Sequence, residues 1–170
     1  MQPIQINGET VNDAYRLTGH TGGIRAMIGW KHFIITGSDD NSIKIWAAST
    51  GNCIKTLKGH TSRILCLTIW NGYIVSSGAD SQIKIWDIVS GKCKKTLKEC
   101  TSSANSLAST PDLLFAGGKD GDIYVWTSRY QLKGKLTGHG DWVNKLLIYN
   151  EKYLISCSDD KTIRKSVFPH

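Results

Sequence analysis

The sequence predicts an all-β protein built from four repeats, and two ladders of residues carry this prediction. An aspartate recurs every forty residues, and a Gly-His pair lies about twenty residues before three of these aspartates. A fixed period of this length indicates that each repeat is one structural unit that buries its apolar surface against its neighbours. The aspartates are Asp40, Asp80, Asp120 and Asp160, and the pairs are Gly19-His20, Gly59-His60 and Gly138-His139.

The second repeat shows most clearly why each unit should contain four strands. Ile64–Ile69 is almost continuously apolar, which is typical of a strand covered on both faces. Asn71-Gly72 is a strong hairpin signal. The mostly apolar strand Tyr73–Ser76 follows it, and then Ile83–Trp86, in which apolar and polar residues alternate. Cys93–Lys98 is mainly polar. Hydrophobicity therefore falls from the first strand to the fourth, as in a sheet whose inner strand is packed and whose outer strand faces water.

A tryptophan closes three of the repeats, at Trp46, Trp86 and Trp126. Together with the Gly-His and aspartate ladders, this pattern resembles the WD-repeat family of β-propellers. The resemblance covers Ala14 to about Phe168 and implies four propeller blades, each a four-stranded antiparallel sheet. Residues 1–13 are then a leader, and residues 14–170 form a single propeller domain.

The resemblance also gives a role to the polar residues that recur in each repeat. It implies that Trp, Ser or Thr, His and Asp form a hydrogen-bonded chain, and buried polar groups are best satisfied in a complete network. A catalytic triad would occur once, whereas this set recurs, so the structural interpretation is favoured. The network residues are His20, Thr36, Asp40 and Trp46, then His60, Ser76, Asp80 and Trp86, and finally His139, Ser156 and Asp160.

Two repeats depart from the pattern. The third has Cys100 in place of His and Ala116 in place of Ser or Thr, so we expect its network not to form, although Asp120 and Trp126 remain. The fourth has Ser166 where the tryptophan is expected. We expect these two blades to open locally at a lower free energy than the others.

Several function classes find no support in the sequence. No nucleophile–base set, phosphate loop or carboxylate pair stands out once the recurring residues are assigned to structure, so we expect no enzymatic activity and no cofactor. The five cysteines lack metal-ligand spacing, and the repeated histidines belong to different blades, so we expect no metal site. The longest apolar run falls short of a membrane span. Reduced, packed thiols favour an intracellular protein, cytoplasmic or nuclear.

The formal charge of +7 raises the alternative of nucleic-acid binding. The densest basic stretch, Lys92–Lys98, falls on a predicted outer strand, where lysines discourage edge-to-edge aggregation. No aromatic residues are interleaved there to stack on bases. The edge-strand interpretation is favoured, and nucleic-acid contact stays an alternative.

The resemblance implies a scaffold for protein–protein interaction, with contacts three and five residues after the His position and just before the Asp. Arg and Trp are enriched at binding hot spots, which favours Arg25, Arg63 and Trp142, although Trp142 fits a packed strand-entry residue equally well. The partner is a protein of unknown identity, and acidic or phosphorylated groups would suit the arginines. The predicted contacts are Arg25, Asp39, Arg63, Leu65, Asn105, Lys119, Trp142, Asn144 and Asp159.

The number of blades in the closed ring stays open at this point. Tyr15–Thr18 matches the outer strand Lys55–Lys58, whereas the fourth repeat ends with a third strand, Thr162–Val167. The front strand could therefore complete the last blade. Three arrangements fit: a homodimer that closes an eight-bladed ring, a single chain closed as four blades, or a partial propeller belonging to a larger WD-repeat protein such as a substrate-recognition subunit.

Overall fold

The computed structural model describes residues 4–6, 9–11 and 16–168, and within these ranges every regular element is a β-strand. Two short strands, β1 (Ile4–Ile6) and β2 (Glu9–Val11), pair as an antiparallel hairpin ahead of the first repeat. The leader was not predicted to contain strands. The remaining fifteen strands form four antiparallel sheets, one for each repeat.

The four sheets follow the chain in order, and consecutive strands are neighbours within each. The first contains β3 (Ile24–Trp30), β4 (Phe33–Ser38), β5 (Ser42–Ala47) and β6 (Cys53–Lys58). The second contains β7 (Ile64–Trp70), β8 (Tyr73–Gly78), β9 (Ile83–Trp86) and β10 (Cys93–Leu97). The third contains β11 (Ala104–Ser109), β12 (Leu113–Gly118), β13 (Ile123–Thr127) and β14 (Leu132–Leu136). The fourth contains β15 (Val143–Tyr149), β16 (Tyr153–Ser158) and β17 (Ile163–Val167). The predicted all-β blade architecture is confirmed.

The fourth repeat contributes three strands, as expected from its ending with a third strand, and no front strand completes its sheet among the described residues. Its sheet has three strands within the described residues, and β17 forms its outer edge. Of the predicted front strand, Tyr15 lies outside the described residues, and residues 16–18 are not in a strand. Residues 16–18 therefore do not pair with β17, and apolar side chains on the first and last blades, such as Met27 and Ile163, are exposed.

The apolar core consists of three clusters, each between two successive blades. In the first junction Ile64 of β7 packs directly on Gly37 of β4, where a Cβ atom would lie 2.4 Å from Cγ2 of Ile64. The third junction repeats this contact, because a Cβ atom at Gly117 would lie 2.6 Å from Cγ1 of Val143. Only a residue without a side chain allows such a close approach, so these two glycines set the spacing between blades.

The two end blades leave their outer faces uncovered. Ile24 and Met27 are 55% and 70% exposed, whereas Ile64 and Leu67, which hold the same positions in the second repeat, are 0% and 5% exposed. On the last blade Ile163 is 75% exposed. Residues 16–168 therefore form an open arc of four blades and do not close as a four-bladed ring.

Candidate binding face

The recurring polar residues of the second repeat form one continuous hydrogen-bonded chain. The Nε1–H of Trp86 donates to Oγ of Ser76 at 2.8 Å, and Nε2 of His60 lies 2.8 Å from the same oxygen. The other ring nitrogen, Nδ1, lies 2.9 Å from Oδ2 of Asp80. Asp80 also accepts hydrogen bonds from the backbone N–H groups of Thr61 and Gln82. The chain thus links the third strand, the second strand and two turns of the blade.

The same hydrogen-bonded network occurs in the first repeat. It also occurs in the fourth repeat, which lacks the tryptophan. Trp46 donates to Thr36 at 2.8 Å, and His20 bridges Thr36 to Asp40. In the fourth repeat the distances are 2.8 Å from His139 to Ser156 and 2.7 Å from His139 to Asp160. These hydrogen bonds join the strands and turns of one blade to each other, and the same arrangement recurs in three of the four blades.

Electrostatics support this structural role. Burial acts to raise the pKa of Asp80, but hydrogen bonds from Thr61 and His60 outweigh it and lower that pKa below its ordinary value. Burial lowers the pKa of His60, against the opposing effect of Asp80. The stable pair is therefore a carboxylate beside a neutral imidazole, which satisfies both groups without burying a second charge.

In the third repeat a different hydrogen-bonded network takes the place of the histidine-centred one. The sequence pattern did not predict this network. Tyr124 is fully buried, and its hydroxyl donates to Oδ2 of Asp120 at 2.6 Å. The hydroxyl of Thr101 also donates to that carboxylate oxygen and lies 2.6 Å from the Tyr124 oxygen. Trp126 Nε1–H donates to Glu99 at 3.3 Å. The expectation that this repeat loses the histidine-centred network holds, but Asp120 still has partners.

Neither a metal cluster nor a membrane helix is found in the part of the chain that the structure describes. No group of three or more His, Cys, Asp or Glu side chains there could hold a metal ion. Among the same residues, no helix has the length and apolar character needed to cross a membrane.

A β-bulge lies at the start of each blade's first strand. The strand register skips one residue in every case, and the skipped residues are Arg25, Leu65, Asn105 and Asn144. A bulge leaves the extra residue out of the ladder and re-aims its side chain. All four were predicted contact residues. They lie beside the aspartate turns, since the backbone N–H of the residue before each Asp bonds to the carbonyl two residues before the bulge residue.

Two of these bulge residues bind the residue that precedes the aspartate of their own repeat. Nε of Arg25 donates to Oδ1 of Asp39 at 2.9 Å, and Nη2 donates to Oδ2 at 2.7 Å. Hydrogen bonding to Arg25 lowers the pKa of the half-buried Asp39 carboxyl. Asn144 likewise donates to Asp159. Arg25 is therefore already paired within the chain, which the sequence analysis did not anticipate.

Three predicted contact residues remain available on this face. Arg63 is exposed and its side chain makes no hydrogen bond or ion pair with the described residues, although its charge helps to lower the pKa of Asp39. Trp142 is 43% exposed, and Nζ of Lys119 lies 4.2 Å from its ring centroid. Leu65 is half-buried beside Arg63 in the chain. Arg63 and Trp142 hold equivalent places before the first strands of blades 2 and 4, since their carbonyls accept the equivalent backbone hydrogen bonds from Ala79 and Asp159.

A similar spacing in two repeats could have revealed the polar pairs on this face. Arg25 and Asp39 are 14 residues apart, and Asn144 and Asp159 are 15 apart. The same positions of the second repeat hold Leu65 and Ala79, which cannot form a polar pair. Among the four described blades, the second is thus the one in which the bulge residue and the residue before the aspartate are both apolar.

The fold and the site define a repeat-built propeller protein whose recurring polar residues join strands and turns within each blade and whose bulge residues lie beside the aspartate turns. The family model described as "WD domain, G-beta repeat" matches residues 12–47, 51–87, 91–127 and 130–165. These matches cover most of the chain. The chain belongs to the WD-repeat family, as the sequence resemblance implied.

Sequence relatives match over short segments. The chain is 42% identical over 40 residues to "WD repeat-containing protein pop2" of Schizosaccharomyces pombe, covering 24% of this chain and 6% of that protein. It is 52% identical over 48 residues to "Ribosome biogenesis protein BOP1 homolog" of Culex quinquefasciatus, covering 27% of this chain and 5% of that protein. The chain thus spans only a small part of the length of these curated relatives.

Solved structures match over most of the chain. The computationally designed Ika4 protein gives a TM-score of 0.83 at 28% identity, covering 91% of this chain and 96% of that one. The designed Ika8 protein gives 0.82 at 28% identity, covering 89% of this chain and 48% of that one. U3-55K, at 23% identity, gives 0.85 and covers 90% of this chain and 51% of that one, and this likeness shows the fold alone.

Proposed function

We propose that this chain is a non-catalytic scaffold that binds a protein segment on the face carrying the aspartate turns. WD repeats generally mediate protein–protein interaction, and the family is typically non-catalytic. The proposal rests on Arg63, which is exposed and whose guanidinium has no hydrogen bond or ion pair among the described residues, and on the partly exposed Trp142 at the equivalent place of the fourth repeat. Arg and Trp dominate binding energy at interfaces because they combine a large contact area with directional polar groups.

The partner's chemistry follows from what surrounds these two residues. Arg63 can bind a carboxylate or a phosphate in a bidentate manner, since its guanidinium has no ion pair among the described residues. Lys119 adds a second cation near Trp142, whereas the last blade carries the acidic side chain of Asp159, which accepts a hydrogen bond from Asn144. An acidic or phosphorylated group would therefore bind toward blades 2 and 3, with an apolar side chain of the segment against Trp142 or Leu65.

The relatives support a location for this activity. One of them is described as a ribosome biogenesis protein, and the chain has free cysteines throughout its described part. Free thiols persist in reducing compartments. An intracellular scaffold, cytoplasmic or nuclear, fits both observations, and its partner within a larger protein assembly would be contacted through the face described above.

A second candidate function is contact with nucleic acid, and a specific observation favours it. The outer strand β10 carries exposed lysines, among them Lys94 and Lys95, and the chain has a formal charge of +7. Phosphate binding of this kind weakens steeply with salt, by about 10³ or more between low and moderate salt when many phosphates are contacted. Binding to random duplex DNA with that salt slope would favour this function over the protein scaffold.

Panning a library of acidic and phosphorylated peptides against the chain tests the protein scaffold. We expect selected peptides to bind, and Arg63→Ala and Trp142→Ala each to weaken binding about tenfold or more. Arg129→Ala is the matched control, because Arg129 is exposed in the turn after β13, at the opposite edge of its blade, and should leave binding unchanged. Unchanged binding in the first two variants, or failure to select any peptide, would contradict the proposal.

A further inference from the structure

The open faces of the first and last blades form a pair of complementary surfaces, and we propose that a second copy of this chain binds them and closes an eight-bladed ring. This inference is independent of the binding face and its partner. It starts from the exposed apolar side chains of β3 and β17, which the packing within the arc leaves uncovered. Contiguous apolar surface of this kind on a soluble protein marks an interface.

The surface of the first blade carries the same side chains that make each internal junction. Ile24 and Met27 hold the positions of Ile64 and Leu67, which pack into the first junction, and of Val143 and Leu146, which pack into the third. They therefore have the size and apolar character that a preceding blade accepts. In one chain, no blade of the described residues covers them.

The outer face of the last blade carries the positions on which such side chains pack at the internal junctions. Cys157 holds the position of Gly37 and Gly117, on which Ile64 and Val143 pack. Beside it, Ile163 holds the position of the buried Ile43. Cys157 behaves as a small apolar residue, so Ile24 of one copy would lie against Cys157 of the other at a slightly wider spacing than over glycine.

The free edge of β17 provides a further contact for the second copy. In the first blade Ile43 pairs with Leu57, and Lys44 pairs with Thr56, to which it donates a hydrogen bond. At the same spacing, residues 16–18 of one copy would pair with β17 of the other and place Leu17 opposite Ile163. This contact would give the fourth blade its missing outer strand.

The proposed partner is a second copy because one chain carries both surfaces of the junction, the outer face of the first blade and that of the last. With a two-fold axis, each of these faces would pack on the other face of the second copy. Such an arrangement forms two identical junctions and leaves no apolar face open, as a closed symmetric dimer requires. The curvature of the arc is suited to it, since the arc superposes on about half of two larger solved chains. Additional blades supplied by another chain are the alternative occupant, and they would leave this chain monomeric on its own.

Sedimentation analysis of the full chain tests the proposal. We expect a single species of twice the 18.8 kDa chain mass. Met27→Asp should raise the dimer dissociation constant about a hundredfold, because a buried unpaired carboxylate has no partner in the junction. Met27 is exposed within one chain, so the variant should fold. Val89→Asp is the matched control, since Val89 is 83% exposed on the second blade and away from both faces. A monomer, an open-ended polymer, or a dimer that Met27→Asp leaves intact would overturn the proposal.

A cross-linking experiment fixes the register of the junction. The Cβ of Ile64 lies 2.9 Å from a Cβ placed at Gly37, and contact between real side chains widens this distance into the range of about 3.5–4.5 Å that disulfides require. In a chain whose exposed Cys53 and Cys93 are replaced by Ser, oxidation in air, with O2 accepting the two electrons and two protons, should therefore join the thiol of Ile24→Cys in one copy to Cys157 of the other in a disulfide. Adding Cys157→Ser should abolish that dimer. A covalent dimer that survives this change, or none at all in the Ile24→Cys chain, would refute the register.

Discussion

Asp80 and Asp120 hold equivalent positions, yet their removal should cost different amounts of stability. In Asp80→Ala the Nδ1 atom of the fully buried His60 ring loses its partner, and the backbone N–H groups of Thr61 and Gln82 lose theirs. An orphaned buried polar group costs about 1–3 kcal/mol, and a lost bond at a more exposed site costs about 0.5–1.5 kcal/mol. We expect the free energy of unfolding to fall by about 3–4 kcal/mol.

Asp120→Ala should be milder because its main buried partner has a second hydrogen bond. The hydroxyl of Tyr124 stays within 2.6 Å of the Thr101 hydroxyl when the carboxylate is gone. Thr101 itself is exposed and can bond to water. The expected loss is about 1–2 kcal/mol. Urea unfolding at equal protein concentration measures both losses as shifts of the midpoint at constant slope. Equal losses, or a larger one for Asp120→Ala, would refute the assignment of these two networks.

Three further predictions concern packing, pH and thiol reactivity. In the monomeric Met27→Asp background, Gly37→Ala should destabilise the chain by about 1–3 kcal/mol because the new Cβ overlaps Ile64. Gly29→Ala, with open space around it, should change stability by less than about 0.5 kcal/mol. Equal effects of the two variants in urea unfolding would argue against the tight junction. Because burial lowers the pKa of His60 in the folded chain, the unfolded chain binds more protons, and stability should fall as the pH drops below about 6.5; a urea midpoint that rises from pH 7 to pH 5.5 would reverse this sign. Burial, with Asp120 and Glu99, raises the pKa of Cys100 to about 12, so a maleimide should label the exposed Cys53 much faster than Cys100, as peptide mass mapping would show; similar rates would indicate that the third blade opens readily.

The blade architecture could be predicted because it rests on a period and on local patterns. Strands, turns and repeat boundaries follow from alternation and turn residues, so the four strands of the second repeat agree with the structure within about two residues at each end. The networks of the complete repeats were predictable for a similar reason, because each polar residue recurs at a fixed spacing.

The features that differ from the predictions depend on contacts between side chains of different strands. No local sequence pattern encodes these contacts. Tyr124 holds the position of Lys44 and Lys84, which bond to threonines of the outer strand, so its contact with Asp120 was not apparent. The pairing of Arg25 with Asp39 likewise depends on a bulge that places the two side chains together. Whether an outer face is covered depends on what packs against it, which a single blade's sequence does not determine.

The bulge at the start of each first strand separates specificity from folding. The skipped residue contributes nothing to the register of the ladder, so Arg, Leu and Asn occupy the same place in different blades of one protein. On the binding face proposed above, a substitution there should change the chemistry offered to a partner while the neighbouring strand pairs stay formed. The side chain at each bulge could therefore be exchanged in one blade at a time while the sheets of all four blades keep their structure.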